Sequence, residues 1–484
     1  MNRILPIVHV LGLVVLIFAF ALLAPVAAAI YFDDAAQRAY DEAFVITLGA
    51  GLLMWLGTQH KKRELRIKDG FLLVALVWAA LPAFAALPFI FFLDATFTDA
   101  YFEAVSGLST TGATVMTGLD NMPPSVNLWR HQLNWMGGMG IIVLAVAILP
   151  LLGIGGRQMF KAETPGPMKD SQLTPRIAQT AKGLWAVYAA ITLACILSLR
   201  VAGMSWFDAV CHAFSALSLG GFSTHDSSIG YFNSVPIEVV LTLFQVIAAG
   251  NFTTHFLAWR TRNAGVYRGD AEMQSLFIWL SAGVLVVTAF LWLKGVYPDF
   301  LTSLRYASFN VVTIATDCGY ASTDFGQWPI FAPLLMLLMS SVLACSGSTG
   351  GGIKMIRTLI LMKQAGREMR RLMHPQAQIP LKIGRQVIEN KVVFSVLAFV
   401  ALYLTTVITL SFILMASGVD FISAFTAIIA CINNAGPGLG VVGPAANYAS
   451  LTDFQTWVCA LAMVLGRLEL FTFFVLFTRT FWRS

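Results

Sequence analysis

One short pattern built on glycine occurs four times along this chain, and it limits the possible folds more than any other feature. It reads Ser109-Thr110-Thr111-Gly112-Ala113-Thr114, then Ser218-Leu219-Gly220-Gly221-Phe222-Ser223, then Thr316-Asp317-Cys318-Gly319-Tyr320-Ala321, then Asn433-Asn434-Ala435-Gly436-Pro437-Gly438. The key glycines are 109, 98 and 117 residues apart. Twelve positions before each stands an alanine (Ala100, Ala209, Ala307, Ala424), and three positions before each a hydrogen-bonding side chain (Ser109, Ser218, Thr316, Asn433). A period of roughly 100 residues is a fourfold tandem repeat whose unit is too long for a solenoid.

The solvent of this repeat follows from composition. Of 484 residues, 57% are hydrophobic and 12% charged, against about 25% charged in a soluble domain. Together with many apolar runs of about 20 residues, this puts the chain in a bilayer. The six cysteines lie in apolar stretches without a CxxC spacing and read as small buried residues. The net charge of +6 is a topology signal and does not suggest nucleic acid.

A first apolar stretch covers 4–31. Its Ala-x-Ala near Ala27 and Ala29 imitates a signal-peptidase site, but the run is longer than the 7–15 residues usual for a signal core, so a retained helix is expected. A second span covers 43–58, followed by the basic run His60 to Lys68. Four units then follow, each with a long span, a half-length segment, the glycine segment, a polar loop and a second long span. The expected spans are 71–93 and 128–153, 183–203 and 237–258, 275–294 and 329–358, and 391–416 and 453–479. The half-length segments, 98–109, 206–218, 303–315 and 421–432, extend only about 15–20 Å as helices. They cannot cross a core of about 30 Å and must leave by the side they entered.

The expected fold is therefore an all-α polytopic membrane protein. Four helix–pore-loop–helix repeats (71–156, 183–260, 275–372 and 391–484) surround a central pore, after a two-helix extension over 1–70. Lys and Arg support one topology: 25 of 31 fall in Arg3 and in 61–68, 157–182, 260–268, 354–391 and 479–483. By the positive-inside rule these pieces face the cytoplasm. Ten spans with both termini cytoplasmic satisfy this, and the glycine segments then enter from outside.

Non-helical backbone at membrane depth survives only if buried in protein or lining a water-filled cavity. Four equivalent segments are thus expected to meet at a shared axis, where carbonyls can replace the water of a dehydrated cation. Each half-helix points its partially negative C-terminal end inward. The candidate ion-binding residues are Thr110, Thr111, Gly112, Gly220, Gly221, Asp317, Cys318, Gly319, Asn434, Ala435 and Gly436. The acids Asp99, Glu103, Asp120, Asp208, Asp226 and Asp324 sit near the outer mouth; they either concentrate cations or simply face water.

Two further features lie in second spans. Gly347-Ser348-Thr349-Gly350-Gly351-Gly352-Ile353-Lys354 interrupts the span of the third unit, and at about 1 kcal/mol per glycine it should unwind. A phosphate loop is excluded because Ile353 breaks GxxxxGK and no strand precedes it. Close packing or an obstruction beneath the glycine segments, a gate, remain. Nothing comparable is expected to interrupt the other second spans. Arg467 lies in the last span, where a charge is costly; it faces the pore or pairs with Glu469 or another acid. No catalytic constellation is visible, so enzymatic activity is not expected. The basic segment 359–374 suits a cytoplasmic partner or anionic lipid.

These residues, above all Arg305-Tyr306-Ala307-Ser308-Phe309-Asn310 and the run from Gly347 to Lys354, resemble the Trk/Ktr/HKT superfamily of cation transporters over essentially the whole chain. The two extra N-terminal spans look like its bacterial TrkH branch. The resemblance implies potassium uptake across the bacterial inner membrane by a homodimer with one pore per protomer, controlled by a peripheral, nucleotide-binding TrkA-like ring. It implies K+ as the transported ion in the filter, no organic cofactor, and a gate formed by Gly347, Ser348, Thr349, Gly350, Gly351 and Gly352 with Arg467 close by. Gly112 in the first segment favours potassium over sodium within this superfamily. The segments lack the TVGYG of potassium channels, so looser selectivity for K+ and Rb+ is expected, and Asp317 with Cys318 makes the third unusual. A symporter coupling K+ to H+ or Na+ is the alternative, since broken mid-membrane helices suit that too.

Overall fold

The computed structural model describes residues 4–61, 65–143, 173–384 and 386–483. Its helices are α1 Leu5–Ala19, α2 Leu23–Phe32, α3 Gln37–Gly57, α4 Ile67–Ala85, α5 Leu87–Leu93, α6 Phe97–Leu108, α7 Pro124–Val143, α8 Leu173–Val201, α9 Trp206–Ser218, α10 Val235–Ala249, α11 Phe252–Thr261, α12 Ala271–Leu293, α13 Phe300–Ala315, α14 Phe331–Leu343 and α15 Met355–Met373. A small hairpin, β1 Leu381–Ile383 with β2 Gln386–Ile388, precedes α16 Asn390–Ala416, α17 Phe421–Asn433, α18 Asp453–Arg467, α19 Phe471–Phe474 and α20 Arg479–Trp482. The all-α membrane fold is as expected.

Among the described residues, six helical stretches are long and apolar enough to cross a membrane, or eight if each of two sharply bent pairs counts as one span. Ten were expected. The span expected over 128–153 is helical as α7 up to Val143, and its remainder lies outside the described residues. The span expected over 329–358 is the 13-residue α14 followed by irregular chain.

The half-length helices α6, α9, α13 and α17 have 12, 13, 16 and 13 residues, or about 18–24 Å. Their boundaries are set by chemistry that repeats. Thr96, Ser205, Asp299 and Asp420 each cap the N-terminus by accepting the backbone N–H three residues on, satisfying a donor that a helix start otherwise leaves open. Asp299 starts the third helix three residues earlier than the apolar pattern suggests. Ala100, Ala209, Ala307 and Ala424 are all fully buried.

The C-terminal ends also agree. Thr110, Leu219, Asp317 and Asn434 take left-handed angles, φ 53, 55, 67 and 58°. The next amide in each segment (Thr111, Gly220, Cys318, Ala435) donates back to the carbonyl five residues before (Ser106, Ser215, Thr313, Ala430), at 2.8 Å in all four. This Schellman-type closure satisfies end carbonyls and turns the chain out of the helix. It tolerates a left-handed Thr and Leu, residues that rarely adopt this conformation.

The expectation that only the third unit has an interrupted second span is wrong. In the second unit α10 and α11 bend by 95° at Gly250-Asn251, and in the fourth α18 and the chain after it bend by 103° at Leu468–Leu470. Asn251 ends the first of these by capping α11 through the Thr253 amide. In the fourth unit Glu469 and Leu470 are left-handed, φ 52 and 45°, in residues that ordinarily favour helix.

A buried charge pair ties the first unit to the second. Glu103 was expected among acids at the mouth. It is instead fully buried and accepts from Arg130 Nε at 2.8 Å, from Thr114 Oγ1 and from the Val115 amide. Arg130 also donates to the Ser223 carbonyl and lies over the Phe222 ring. The pair thus joins the chain just beyond the first and second glycine segments. Replacing Glu103 with Ala leaves a buried guanidinium unpaired, which should cost about 3–5 kcal/mol. Denaturation in detergent should show this loss, with the double variant E103A/R130A less affected than the sum of the singles; a neutral E103A would contradict the assignment.

Nearby, His225 bridges the same two units. Its Nδ1 is 2.5 Å from Asp120 Oδ1 and its Nε2 3.6 Å from Asp208 Oδ1, and its ring stacks on Tyr231. Partial burial opposes its charging, but the neighbouring Asp208 and Asp120 carboxylates outweigh this and raise its pKa. Stability from a raised pKa is full below the unfolded value of about 6.5 and is lost as pH rises through the folded value. The stability difference between the native chain and His225→Gln, followed by thermal unfolding from pH 6 to 9, should shrink as pH rises; a constant difference would contradict a charged bridge.

Candidate functional site

The four glycine segments form a closed ring in chain order. A Cβ on Gly112 would strike the Gly220 carbonyl, one on Gly221 the Cys318 carbonyl, and one on Gly319 the Ala435 carbonyl. A Cβ on Gly436 would come within 2.7 Å of the Thr111 carbonyl oxygen, closing the circle. All four glycines are also left-handed, φ 80, 67, 87 and 85°. Glycine is required twice over here, for the backbone angle and for the approach of a neighbouring carbonyl.

The other candidate residues are divided by their side chains. Asn434 Nδ2 donates to Thr111 Oγ1 at 2.9 Å, joining the fourth segment to the first. Thr111 Oγ1 also contacts Ser109 Oγ at 2.6 Å. The Cys318 thiol is turned towards α10, where Gln245 Nε2 approaches its Sγ at 3.5 Å, so this residue brings its carbonyl to the ring and not its sulfur. Tyr448 Oη donates to the Gly436 carbonyl at 2.9 Å and braces it. Among the described residues no group of three or more His, Cys, Asp or Glu is placed to hold a metal ion. The groups that each glycine meets in the ring are backbone carbonyl oxygens, hard ligands of the kind suited to alkali cations.

Directly against the ring lies the loop between α14 and α15, which touches the third and fourth segments itself and is tied to the first and second through neighbouring residues. Thr349 Oγ1 donates to the Leu217 carbonyl at 3.2 Å beside the second segment. The Gly351 amide donates to Asp317 Oδ2 at 3.0 Å in the third. A Cβ on Gly351 would strike the Asn433 carbonyl of the fourth. Arg467 makes the remaining link, donating to the Thr349 carbonyl at 3.0 Å and to Thr110 Oγ1 of the first segment.

Arg467 does not pair with Glu469. Glu469 is held by Arg357 at 2.6 Å, because the bend after α18 turns the two side chains apart. Lys354 also donates to the loop, at the Gly350 carbonyl; the sequence reading gave it no role, although its place at the end of the glycine run was a visible signal.

The loop is held from behind by the bend in the second unit. The Cys345 amide donates to the Ala249 carbonyl, and the Phe252 amide to the Gly347 carbonyl, both at 3.1 Å. Glu272 accepts from the Ser346 and Ile356 amides at 3.0 and 2.9 Å. The two irregular stretches thus satisfy each other's backbone groups.

Residues 36–483 match the family model described as TrkH, cation transport protein. The chain is 45% identical over 480 residues to the Trk system potassium uptake protein TrkH of Halomonas elongata, covering 99% of each. It is 44% identical over 481 residues to the protein of the same name from Escherichia coli strain K12, again covering 99% of each. The crystal structure of the potassium transporter TrkH from Vibrio parahaemolyticus superposes with a TM-score of 0.92 at 40% identity, covering 99% of this chain and 100% of that one. With a whole-chain match of sequence and of fold, this chain belongs to the TrkH family of cation transport proteins, a family of transporters rather than enzymes.

Proposed function

We propose that the chain is the membrane subunit of a potassium-uptake system of the bacterial inner membrane. K+, and Rb+ with it, crosses through the ring of four glycine segments. The observation that carries this reading is the closure of that ring, in which each segment rests on a carbonyl of the next. The names of the relatives, potassium uptake proteins, supply the ion.

The physical basis is simple. A cation leaving water needs oxygens in place of its hydration shell, and Thr111, Gly112, Gly220, Gly221, Cys318, Gly319, Ala435 and Gly436 offer backbone carbonyls for this. Four helix C-termini add partial negative charge. The membrane potential contributes about 2.3 kcal/mol per charge per 100 mV, enough to accumulate K+ without chemical coupling.

In this reading Gly347–Gly352 is the gate and Arg467 its pin, since one guanidinium bridges the loop to the first segment. Opening withdraws the loop, under control of a cytoplasmic nucleotide-binding ring, and the working unit is a homodimer with both termini cytoplasmic. The chain divides as 1–70, 71–156, 183–260, 275–372 and 391–484.

Rubidium tracer uptake into liposomes loaded with K+ tests this. Uptake should be inhibited by external K+ and weakly by Na+. Gly319→Ser should reduce the K+ over Na+ preference by roughly tenfold, since a side chain there meets the Ala435 carbonyl and strains the backbone. Deleting 347–352 should raise uptake in the absence of any partner. Unchanged selectivity in G319S would contradict the ring as the filter, and unchanged flux in a folded deletion would contradict the gate.

A further inference from the structure

The left-handed position two before each glycine is Thr110, Leu219, Asp317 and Asn434, and only Asp317 can carry a charge. Asp317 and Asn434 are buried, yet Asp317 Oδ1 and Asn434 Oδ1 have no hydrogen-bond partner. A buried oxygen left unsatisfied is costly, more so on a carboxylate. Both side chains adjoin Gly351, and Asp317 adjoins Gly350 as well. A Cβ on Gly350 would lie 3.2 Å from Asp317 Oδ2, and one on Gly351 3.1 Å from Asn434 Oδ1. The second Asp317 oxygen is taken by the Gly351 amide. Meanwhile the cationic side chains of Lys354 and Arg467 donate to its Gly350 and Thr349 carbonyls.

We propose that Asp317 and Asn434 form an inner cation site beneath the ring, for which a weakly hydrated cation and the Gly350–Gly351 amide backbone compete. The proposal rests on the pore reading above and adds to it a reason for the loop to move. With the loop in place, Lys354 and Arg467 bring positive charge to the region and the Gly351 amide covers the carboxylate. An ion entering from the ring is attracted by the free Asp317 and Asn434 oxygens and repelled by those two side chains. Binding it therefore favours withdrawal of the loop, which parts Lys354 and Arg467 from the carbonyls they hold. Leu219 and Thr110 cannot do the same, because one is apolar and the other's hydroxyl accepts from Arg467.

Barium, a divalent ion of nearly potassium's size, is the probe. Its binding to the purified full-length chain in detergent is measured by calorimetry, then to a chain lacking 347–352, then to that deletion carrying Asp317→Asn. Removing the loop should tighten barium binding by roughly tenfold or more, the scale of one charge-assisted contact, and D317N should abolish the gain. Equal binding by the native and loop-deleted chains overturns the proposal, and so does a gain that survives D317N. Gly351→Ala, whose methyl would strike the Asn433 carbonyl, uncovers the site in a full-length chain and is read by the same criteria if the deletion does not purify as a single species. Rubidium flux through the loop-deleted chain is followed in parallel. Its absence would count against the pore, whereas barium binding judges the inner site.

Discussion

A backbone that leaves helical geometry inside a bilayer must find partners for its amide groups within the protein, because lipid offers none. Most of this structure can be understood as the solution to that problem. The four half-helices end in the same turn, with one amide returning to the carbonyl five residues earlier. The segments that follow then rest on one another in a circle. No segment is satisfied alone. The irregular stretches at Gly250-Asn251 and at 344–354 likewise supply each other's missing hydrogen bonds. Irregularity at one place therefore requires irregularity at the next, and the broken helices gather around the ring.

Charge obeys the same rule. An ion buried in a membrane protein is tolerated when its hydrogen bonds are supplied locally. Arg130 and Glu103 meet this condition outside the ring, joining the first two segments. Arg357 and Glu469 meet it beside the chain that follows the last second span. Arg467 differs, since its hydrogen bonds go to a carbonyl and a hydroxyl and not to a carboxylate. Such a guanidinium is held more loosely than one in a bidentate ion pair, which suits the role proposed for it as the pin of a movable gate.

Much of this was legible from the residues. The half-helices were visible because their apolar runs are too short to cross, whereas the caps that fix their starts, Thr96, Ser205, Asp299 and Asp420, emerged only with the structure. The repeat of glycine, alanine and a hydrogen-bonding residue gave the register of the four segments, and the glycine run gave the interrupted third unit. What escaped were features that depend on distant partners. Gly250-Asn251 is a modest local signal, and its bend makes sense only once Cys345 and Gly347 are beside it. Leu468, Glu469 and Leu470 are ordinary helix residues, so nothing local announces the turn that sends Glu469 to Arg357. Glu103 looked like a mouth carboxylate because its partner Arg130 lies 27 positions later, on another helix. The family resemblance supplied the ion and the expected partners, which no local pattern encodes.

The central claim is that the four-segment ring is where the ion sheds its water. The most direct measurement is anomalous X-ray scattering from crystals grown in rubidium. The account predicts ordered rubidium on the axis enclosed by the carbonyls of Thr111, Gly220, Cys318 and Ala435. Rubidium bound reproducibly elsewhere in the membrane region, with none inside the ring, would contradict it.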